Sequence, residues 1–408
     1  MASIDKRVLR NGVERWRVQY RVGGKLTGAT FDNPRGAQEF GELVDKMGGE
    51  YAQSALAARR GNSTDAPTLR EFTQKYLSTD SGLLTGIEQG TRDGYSAAAE
   101  RSFLVTLGEF PVDAITKADV GRWVAWQEKQ PSARRKGETV SAKTVKNYHA
   151  VLSSVLAAAV EAGLRADNPA YKTRLSRGVK REAVFLSPAE FRTVLHFTPD
   201  YYKLLVHLLA STGVRWGEAT ALHWGDVVLN GTPPIIRITK AWKKATGGPI
   251  LKHPKSSKSR RSVSVYAALA AELSEGGASD ELVFKGKLSG GHLWYGRFRS
   301  STWEPTIDKA TDKKLCAAAG LTPLTKRPTI HDLRHTHASW LIAAGVPLPY
   351  VQARLGHEKI TTTVDTYGHL VADAHEQMAS VVAVTLEALD RPLAVEQREE
   401  IIVDLSDE

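Results

Sequence analysis

Two polar interruptions divide this chain into stretches whose hydrophobic periods differ, so no single layer of one fold can satisfy all of them. The first is Gly61 to Pro67 (GNSTDAP); the second is the basic run holding Lys172, Arg174, Arg177, Lys180 and Arg181. Before the first interruption side chains alternate with a period of two, and between the two the period is helical. Beyond the second, helical patterning is broken once by short β-branched runs. At 408 residues the chain is also too long for one ordinary core. Together these features predict a multidomain, mainly α protein. A small three-stranded β-sheet plus a helix is expected over 1–60 and a helical domain over 66–170. A mixed, mainly α domain with a small β-sheet is expected over 185–390, followed by an acidic tail over 391–408.

In the first stretch Asn11-Gly12 is a hairpin signal and Gly23-Gly24 a second turn. Between them Arg15, Arg17, Gln19 and Arg21 point one way, and Trp16, Val18, Tyr20 and Val22 the other. The apolar face calls for a cover, supplied by a helix with Asn33 as N-cap and Pro34 in its first turn, ending near Gly48-Gly49. The arginine face calls for an anion. A sheet of this size fits a DNA major groove, although a solvated hairpin carries the same pattern.

In the second stretch Val145, Tyr148, Val151, Leu152, Val155, Leu156 and Ala159 form one buried helical stripe that stops near Gly163; Asn168-Pro169 closes the unit. Lys143 and Lys146, just after Arg134, Arg135 and Lys136, are placed to face a phosphate backbone; solvated lysines on a helix would look the same. Ser187-Pro188 opens the third stretch. Ile235–Ile238 and Arg261–Val265 are expected to pair across a Lys- and Gly-rich loop, and helical patterning resumes by His331 and runs to about Leu389.

The net charge is +10, and the residues from Glu387 onward run acidic, so the positive excess sits in the body of the chain and a polyanion is the first partner to consider. No stretch approaches the roughly 18 apolar residues of a membrane helix, and the start MASIDKRVLRNGVERW lacks a signal-peptide core. A cytoplasmic protein with no membrane partner is expected. Cys316 is the sole cysteine, which leaves no disulfide and no cysteine-based zinc site.

Five segments carry chemistry: T-G-V-R-W-G-E around Arg215, K-S-S-K-S-R-R from Lys255, H-D-L-R-H-T-H from His331, L-G-H ending at His357, and D-T-Y-G-H around Tyr367. Cutting a phosphodiester without a metal requires fixed cations on the non-bridging oxygens, where negative charge gathers in the transition state. Arginine suits this task because its planar fork holds two oxygens and keeps its proton. Arg215 and Arg334, both expected on helix-like segments, are the candidates. Lys255 is placed to give the leaving 5′ oxygen its proton. Tyr367 is the candidate for a nucleophile that can also leave, although a buried aromatic at a helix end would read the same, and His357 lies close enough in sequence to share its site. Glu218, three residues after Arg215, can pair with it on one helical turn. His331 and His335 at i, i+4 could also bind a metal on one helix face, but the Glu of H-E-x-x-H is absent and no third ligand is obvious.

In this order the segments resemble the tyrosine recombinases, in particular integrases of temperate phages and integrative elements. The resemblance implies an active site of Arg215, Lys255, His331, Arg334, His357 and the nucleophile Tyr367, with Glu218 bracing the first arginine. In a loop that also holds Lys252 and Lys258, Lys255 fits the family's pattern because Pro-Lys-Ser precedes a downstream Ser-x-Arg. Residues 1–60 resemble an arm-binding sheet domain, and the helix ending at Asn168-Pro169 resembles the last helix of a core-binding domain. Arg15, Arg17, Arg21, Lys143 and Lys146 are the candidate DNA contacts.

The implied activity is site-specific integration or excision of a phage or mobile element in a bacterial host through a 3′-phosphotyrosine intermediate, with no cofactor. The implied partners are double-stranded attachment sites and three further copies of the chain on DNA, with a host DNA-bending protein or an excisionase as candidate accessories. The segment Val371 to Leu389 has apolar spacing suited to docking on a neighbouring subunit or on its own domain. A type IB topoisomerase shares the tyrosine chemistry but needs no arm-like sheet, and a lapsed DNA-binding regulator would not keep all six site residues.

Overall fold

The computed structural model describes residues 2–9, 14–31, 33–61, 66–133, 137–178, 183–245, 248–253, 260–274, 276–287, 290–370 and 382–383. The chain divides into two compact units, one of residues 1–181 with 245–248, the other of residues 182–244 with 249–408.

In the first unit β1 (Ser3–Val8), β2 (Glu14–Val22) and β3 (Lys25–Phe31) form an antiparallel sheet in that order. The Asn11-Gly12 turn lies outside the described residues. Gly23 and Gly24 both take positive φ, +53° and +83°, as a tight two-residue hairpin needs. Alternation along β2 buries Val18 and Tyr20, and these pack with Ala29 of β3 against Ala37, Phe40 and Val44 of α1 (Pro34–Met47). Asn33 caps α1 by accepting from the Gly36 N–H at 2.7 Å. A second helix, α2 (Gly49–Gly61), follows where the sequence pattern ended the domain's only helix. Gly49 permits that junction: a Cβ there would lie 2.0 Å from the Arg21 carbonyl oxygen.

Tyr51 and Ala55 of α2 share their core with the helices that follow, and the Tyr51 and Phe110 rings lie 5.9 Å apart. Those helices are α3 (Leu69–Leu77), α4 (Gln89–Glu100), α5 (Phe103–Leu107), α6 (Lys117–Glu128) and α7 (Ala142–Glu161). Capping boxes Thr68/Glu71 and Thr116/Asp119 start α3 and α6. Val145, Val151, Leu152, Val155, Leu156 and Ala159 of α7 are buried, while Lys143 and Lys146 are exposed.

The second unit opens with α8 (Pro188–Phe197), capped by the Ser187/Glu190 box, then α9 (Asp200–Thr212) and the one-turn α10 (Trp216–Ala219). A three-stranded antiparallel sheet follows from β4 (Val227–Val228), β5 (Ile235–Ile238) and β8 (Arg261–Ser264); β6 (Ala241–Ala245) and β7 (Gly248–Lys252) pair between β5 and β8 in sequence. Helices return earlier than the pattern predicted. α11 (Ala267–Glu272), α12 (Tyr295–Phe298), a π-helical turn at Arg299–Trp303, α13 (Glu304–Thr311) and α14 (Lys313–Ala318) all precede His331. α11 and α14 have too few turns to display a helical period, while α12, the π turn and α13 run on without a break from Tyr295 to Thr311, where the π turn shifts the helical phase.

The next helices are α15 (Asp332–Ala343), α16 (Leu348–Leu355) and α17 (Ile360–Tyr367). The unit's core joins Leu205 and Leu209 of α9, Ile236 and Val263 of the sheet, Trp303 and Leu333. The expected continuation from Val371 to Leu389 lies outside the described residues except for 382–383, as does the acidic tail. Among the described residues no helix is long and apolar enough to cross a membrane.

Candidate active site

The site is built where α9 ends, where α15 begins and where the chain turns between α16 and α17. Gly213 stops α9 with φ +67°. The backbone then runs extended, so Arg215 occupies the N-cap position of α10 (φ −73°, ψ 151°) rather than the helical one expected for it. A Cβ at Gly213 would sit 2.6 Å from the His337 ring, so the glycine serves both backbone sign and close packing. Gly356 ends α16 in the same left-handed way, φ +68°, just ahead of His357. Its carbonyl accepts from Arg215 Nη2 at 3.2 Å.

Glu218 organises the cations. Its carboxylate accepts from the Arg215 backbone N–H (2.8 Å) and Nη1 (2.9 Å), and from Arg261 Nη2 (2.8 Å). Burial pushes the Glu218 carboxyl up, but Arg261 and then Arg215 outweigh it and hold the group below its ordinary value. The brace expected between Glu218 and Arg215 is therefore shared with Arg261, which β8 delivers from 43 residues downstream.

Arg334 lies on the first turn of α15 and is 2% exposed. Its Nη1 donates to the Gly213 carbonyl at 2.7 Å, but its Nη2 is buried without a hydrogen-bond partner among the described residues. Burial, and next the charge of Arg215, push this guanidinium down to about 9, while Glu218 opposes them. A crowded, incompletely paired cation of this kind is stabilised by an anion that accepts from its open edge. The start of α15 is fixed by Asp332, which accepts from the Thr329 N–H and hydroxyl at 2.6 Å each.

Three histidines surround the arginines. Burial, then His335 and Arg334, push His331 down to about 4. His357 is also pushed down to about 4, by burial, then Arg334 and Arg215; its Nδ1 is 2.9 Å from the Thr363 hydroxyl. Both are neutral at pH 7. His335 stands one turn after His331, their rings edge to face at 4.9 Å.

Tyr367 closes α17 and is 1% exposed, its ring packed with Ala338, Ile342, Val351 and Leu355. Burial pushes its hydroxyl up to about 12, against the lowering charge of Arg334. Among the described side chains His335 meets the hydroxyl, Nδ1 to Oη 2.8 Å, rather than the sequence neighbour His357.

The structure therefore gathers Arg215, Glu218, His331, Arg334, His357 and Tyr367 into one electrostatically coupled cluster. Lys255 and Lys258 lie outside the described residues, between β7 and β8. Sequence reasoning missed Arg261 and His335. The spacing of His331 and His335 on one helix face was visible, but it suggested a metal pair.

Arg15, Arg17 and Arg21 lie on β2 of the first unit. Arg15 stands opposite Arg7 of β1, Arg17 opposite Asp5, and Arg21 is exposed with Nη1 donating to the Gly24 carbonyl at 3.1 Å.

Residues 184–373 match the phage integrase family. The integrase of Mycobacterium phage D29 is 28% identical over 296 residues, spanning 72% of this chain and 73% of that protein. The ICEBs1 integrase of Bacillus subtilis (strain 168) is 27% identical over 245 residues, 59% of this chain and 65% of that protein. Among solved structures the fold is similar to the Tn1549 transposon integrase in complex with a circular intermediate DNA, with TM-score 0.61, 18% identity, and 78% and 99% of the two chains covered. It is also similar to a lambda integrase tetramer bound to a Holliday junction, with TM-score 0.51, 19% identity, and 88% and 94% covered.

Proposed function

The chain belongs to the phage integrase family of tyrosine recombinases, and from that membership we propose that it breaks and rejoins DNA at specific sites through a covalent bond to Tyr367. It is a site-specific DNA strand transferase. The observation that carries the residue assignment is the open edge of Arg334, a buried guanidinium crowded by Arg215 in the cluster that also holds a tyrosine hydroxyl.

In this reading a scissile phosphate lies between Arg215 and Arg334, with His357 on the same group, and the two forks neutralise charge on its non-bridging oxygens. Tyr367 attacks the phosphorus and the 5′ oxygen departs with a proton from Lys255, assisted by His331. The tyrosyl phosphodiester conserves the energy of the broken bond. A 5′ hydroxyl from a partner strand can then attack it and release Tyr367.

The arginine face of β2 and the lysines of α7 supply DNA contacts outside this centre, residues 1–60 acting on distal arm sites and 66–170 on the core site with the catalytic domain. The substrate is double-stranded DNA carrying attachment sites of a phage or mobile element, and the working assembly is a tetramer on two such sites. The solved lambda integrase tetramer on a Holliday junction supports that stoichiometry. A DNA-bending host protein and an excisionase are the accessory partners in this scheme.

A nicked suicide duplex tests the reading, because loss of a short strand past the nick traps the covalent intermediate. The wild type is expected to accumulate an adduct and Tyr367→Phe none. An adduct that survives Tyr367→Phe refutes the nucleophile.

A further inference from the structure

We propose that His335 is the base that takes the Tyr367 proton as the tyrosine attacks. The inference rests on Tyr367 being the nucleophile and names the group that activates it. A neutral tyrosine must lose a proton when its oxygen bonds to phosphorus. A phenol is protonated at neutral pH even at its ordinary value, and burial pushes this one further up, to about 12, so an acceptor in hydrogen-bond contact is required.

Among the described imidazoles of the cluster, His335 is the one in contact. Its Nδ1 lies 2.8 Å from the hydroxyl, and the two rings are tilted with centroids 5.7 Å apart. His357 uses its Nδ1 on the Thr363 hydroxyl. His337 is buried with both nitrogens engaged, Nδ1 at the Ala210 carbonyl and Nε2 accepting from Arg354. Helical geometry makes the placement of His335 specific. It follows Arg334 by one residue and His331 by four, so it shares the face of α15 that bears His331, and α17 brings Tyr367 to that face from 32 residues downstream.

With the ring proton on Nε2, Nδ1 accepts the hydrogen bond that the Tyr367 hydroxyl donates. In the cleavage step the Tyr367 oxygen bonds to phosphorus and the bond from phosphorus to the 5′ oxygen breaks. The phenolic proton passes to His335 Nδ1, and the departing 5′ oxygen takes a proton from the acid, assigned above to Lys255. Rejoining reverses each transfer: the incoming 5′ hydroxyl returns a proton to the acid, and His335 returns its proton to Tyr367.

The test uses the full chain, with His335→Asn and His335→Ala compared with wild type in single-turnover cleavage of the nicked suicide duplex. Asparagine keeps an acceptor near the Nδ1 position but is not basic. A second duplex carries sulfur in place of the bridging 5′ oxygen, a leaving group that needs no proton. Both variants are expected to bind the duplex as the wild type does. His335→Asn is expected to cleave about 100-fold more slowly or worse, the usual scale of lost general-base help. The sulfur duplex should leave that defect in place, because the missing step is proton removal from the tyrosine, and added imidazole should raise the rate of His335→Ala.

Cleavage by His335→Asn within a few-fold of wild type overturns the proposal. Restoration by the sulfur duplex does so too, since it would place His335 on the leaving-group side. Loss of DNA binding together with cleavage, restored in neither respect by imidazole, would make the residue structural and equally overturn it. A Tyr367→Phe lane in the same experiment separates this failure from failure of the nucleophile itself, because only the latter leaves an adduct there.

Discussion

The molecule carries arginines in two settings that composition cannot tell apart. On β2, Arg15, Arg17 and Arg21 stand on an open sheet face, partly or fully exposed, beside Asp5 and the Gly24 carbonyl. In the second unit Arg334 is 2% exposed and the Arg261 side chain 7%, and Glu218 holds Arg215 through its carboxylate. A solvated arginine contributes affinity that salt screens, since binding releases counterions from DNA. A buried, pre-aimed arginine is worth more at the moment charge develops, because no solvent must reorganise. Under the proposed function the same residue type would therefore serve retention in one unit and rate in the other.

That contrast can be broken most severely at Arg334. Arg334→Lys keeps the charge but loses the fork, and cleavage at saturating DNA is expected to fall roughly 10²–10³-fold, as when a single transition-state donor is lost. A single-turnover rate within a few-fold of wild type would mean that the guanidinium geometry is not used on the phosphate.

Glu218→Gln comes next, because it leaves Arg215 and Arg261 without the carboxylate they share. Breaking a buried pair costs on the order of 3 kcal/mol, so the melting temperature should drop by roughly 6–12 °C at neutral pH, with slower cleavage alongside. The folded Glu218 carboxyl titrates below its ordinary 4.5, so its stabilisation is present above that value and is lost as pH falls through the lower folded one. The gap between wild type and variant in a calorimetric pH series should therefore close in acid. A gap independent of pH would assign the loss to packing.

The smallest effects belong to the open sheet. Arg17→Ala is expected to weaken DNA binding severalfold and to make the slope of log affinity against log salt shallower by about 1, with far less effect on cleavage than at Arg334. An unchanged salt slope would show that the arginine face does not meet phosphate.

The same contrast explains what was legible in the sequence. The residue types at Arg215, Arg334, His357 and Tyr367 stand in short motifs whose chemistry is readable without coordinates, and the strand and helix periods exposed the mainly α, multidomain plan. Arg261 was not readable as a partner of Glu218, because that contact exists only once β5 and β8 pair and carry it across 43 residues. His335 was visible but ambiguous, since one helix face serves a metal pair as well as a tyrosine contact.

Helix α2 was hidden for another reason. Its buried positions, Tyr51, Ala52 and Ala55, are mostly alanine and mark a weak stripe, and Tyr51 turns from the sheet's core to pack on Phe110. Between Ala267 and Ala318, α11 and α14 fell below the length at which a period can be seen, and the π turn breaks the period of the stretch from Tyr295 to Thr311.

Peptide mass spectrometry of the trapped DNA complex tests the central claim most directly. After nuclease and protease digestion the account predicts a nucleotide phosphate linked through the tyrosine oxygen of the peptide that contains Tyr367. A phosphonucleotide on any other residue, or no linkage from wild-type protein that binds the duplex, would contradict it.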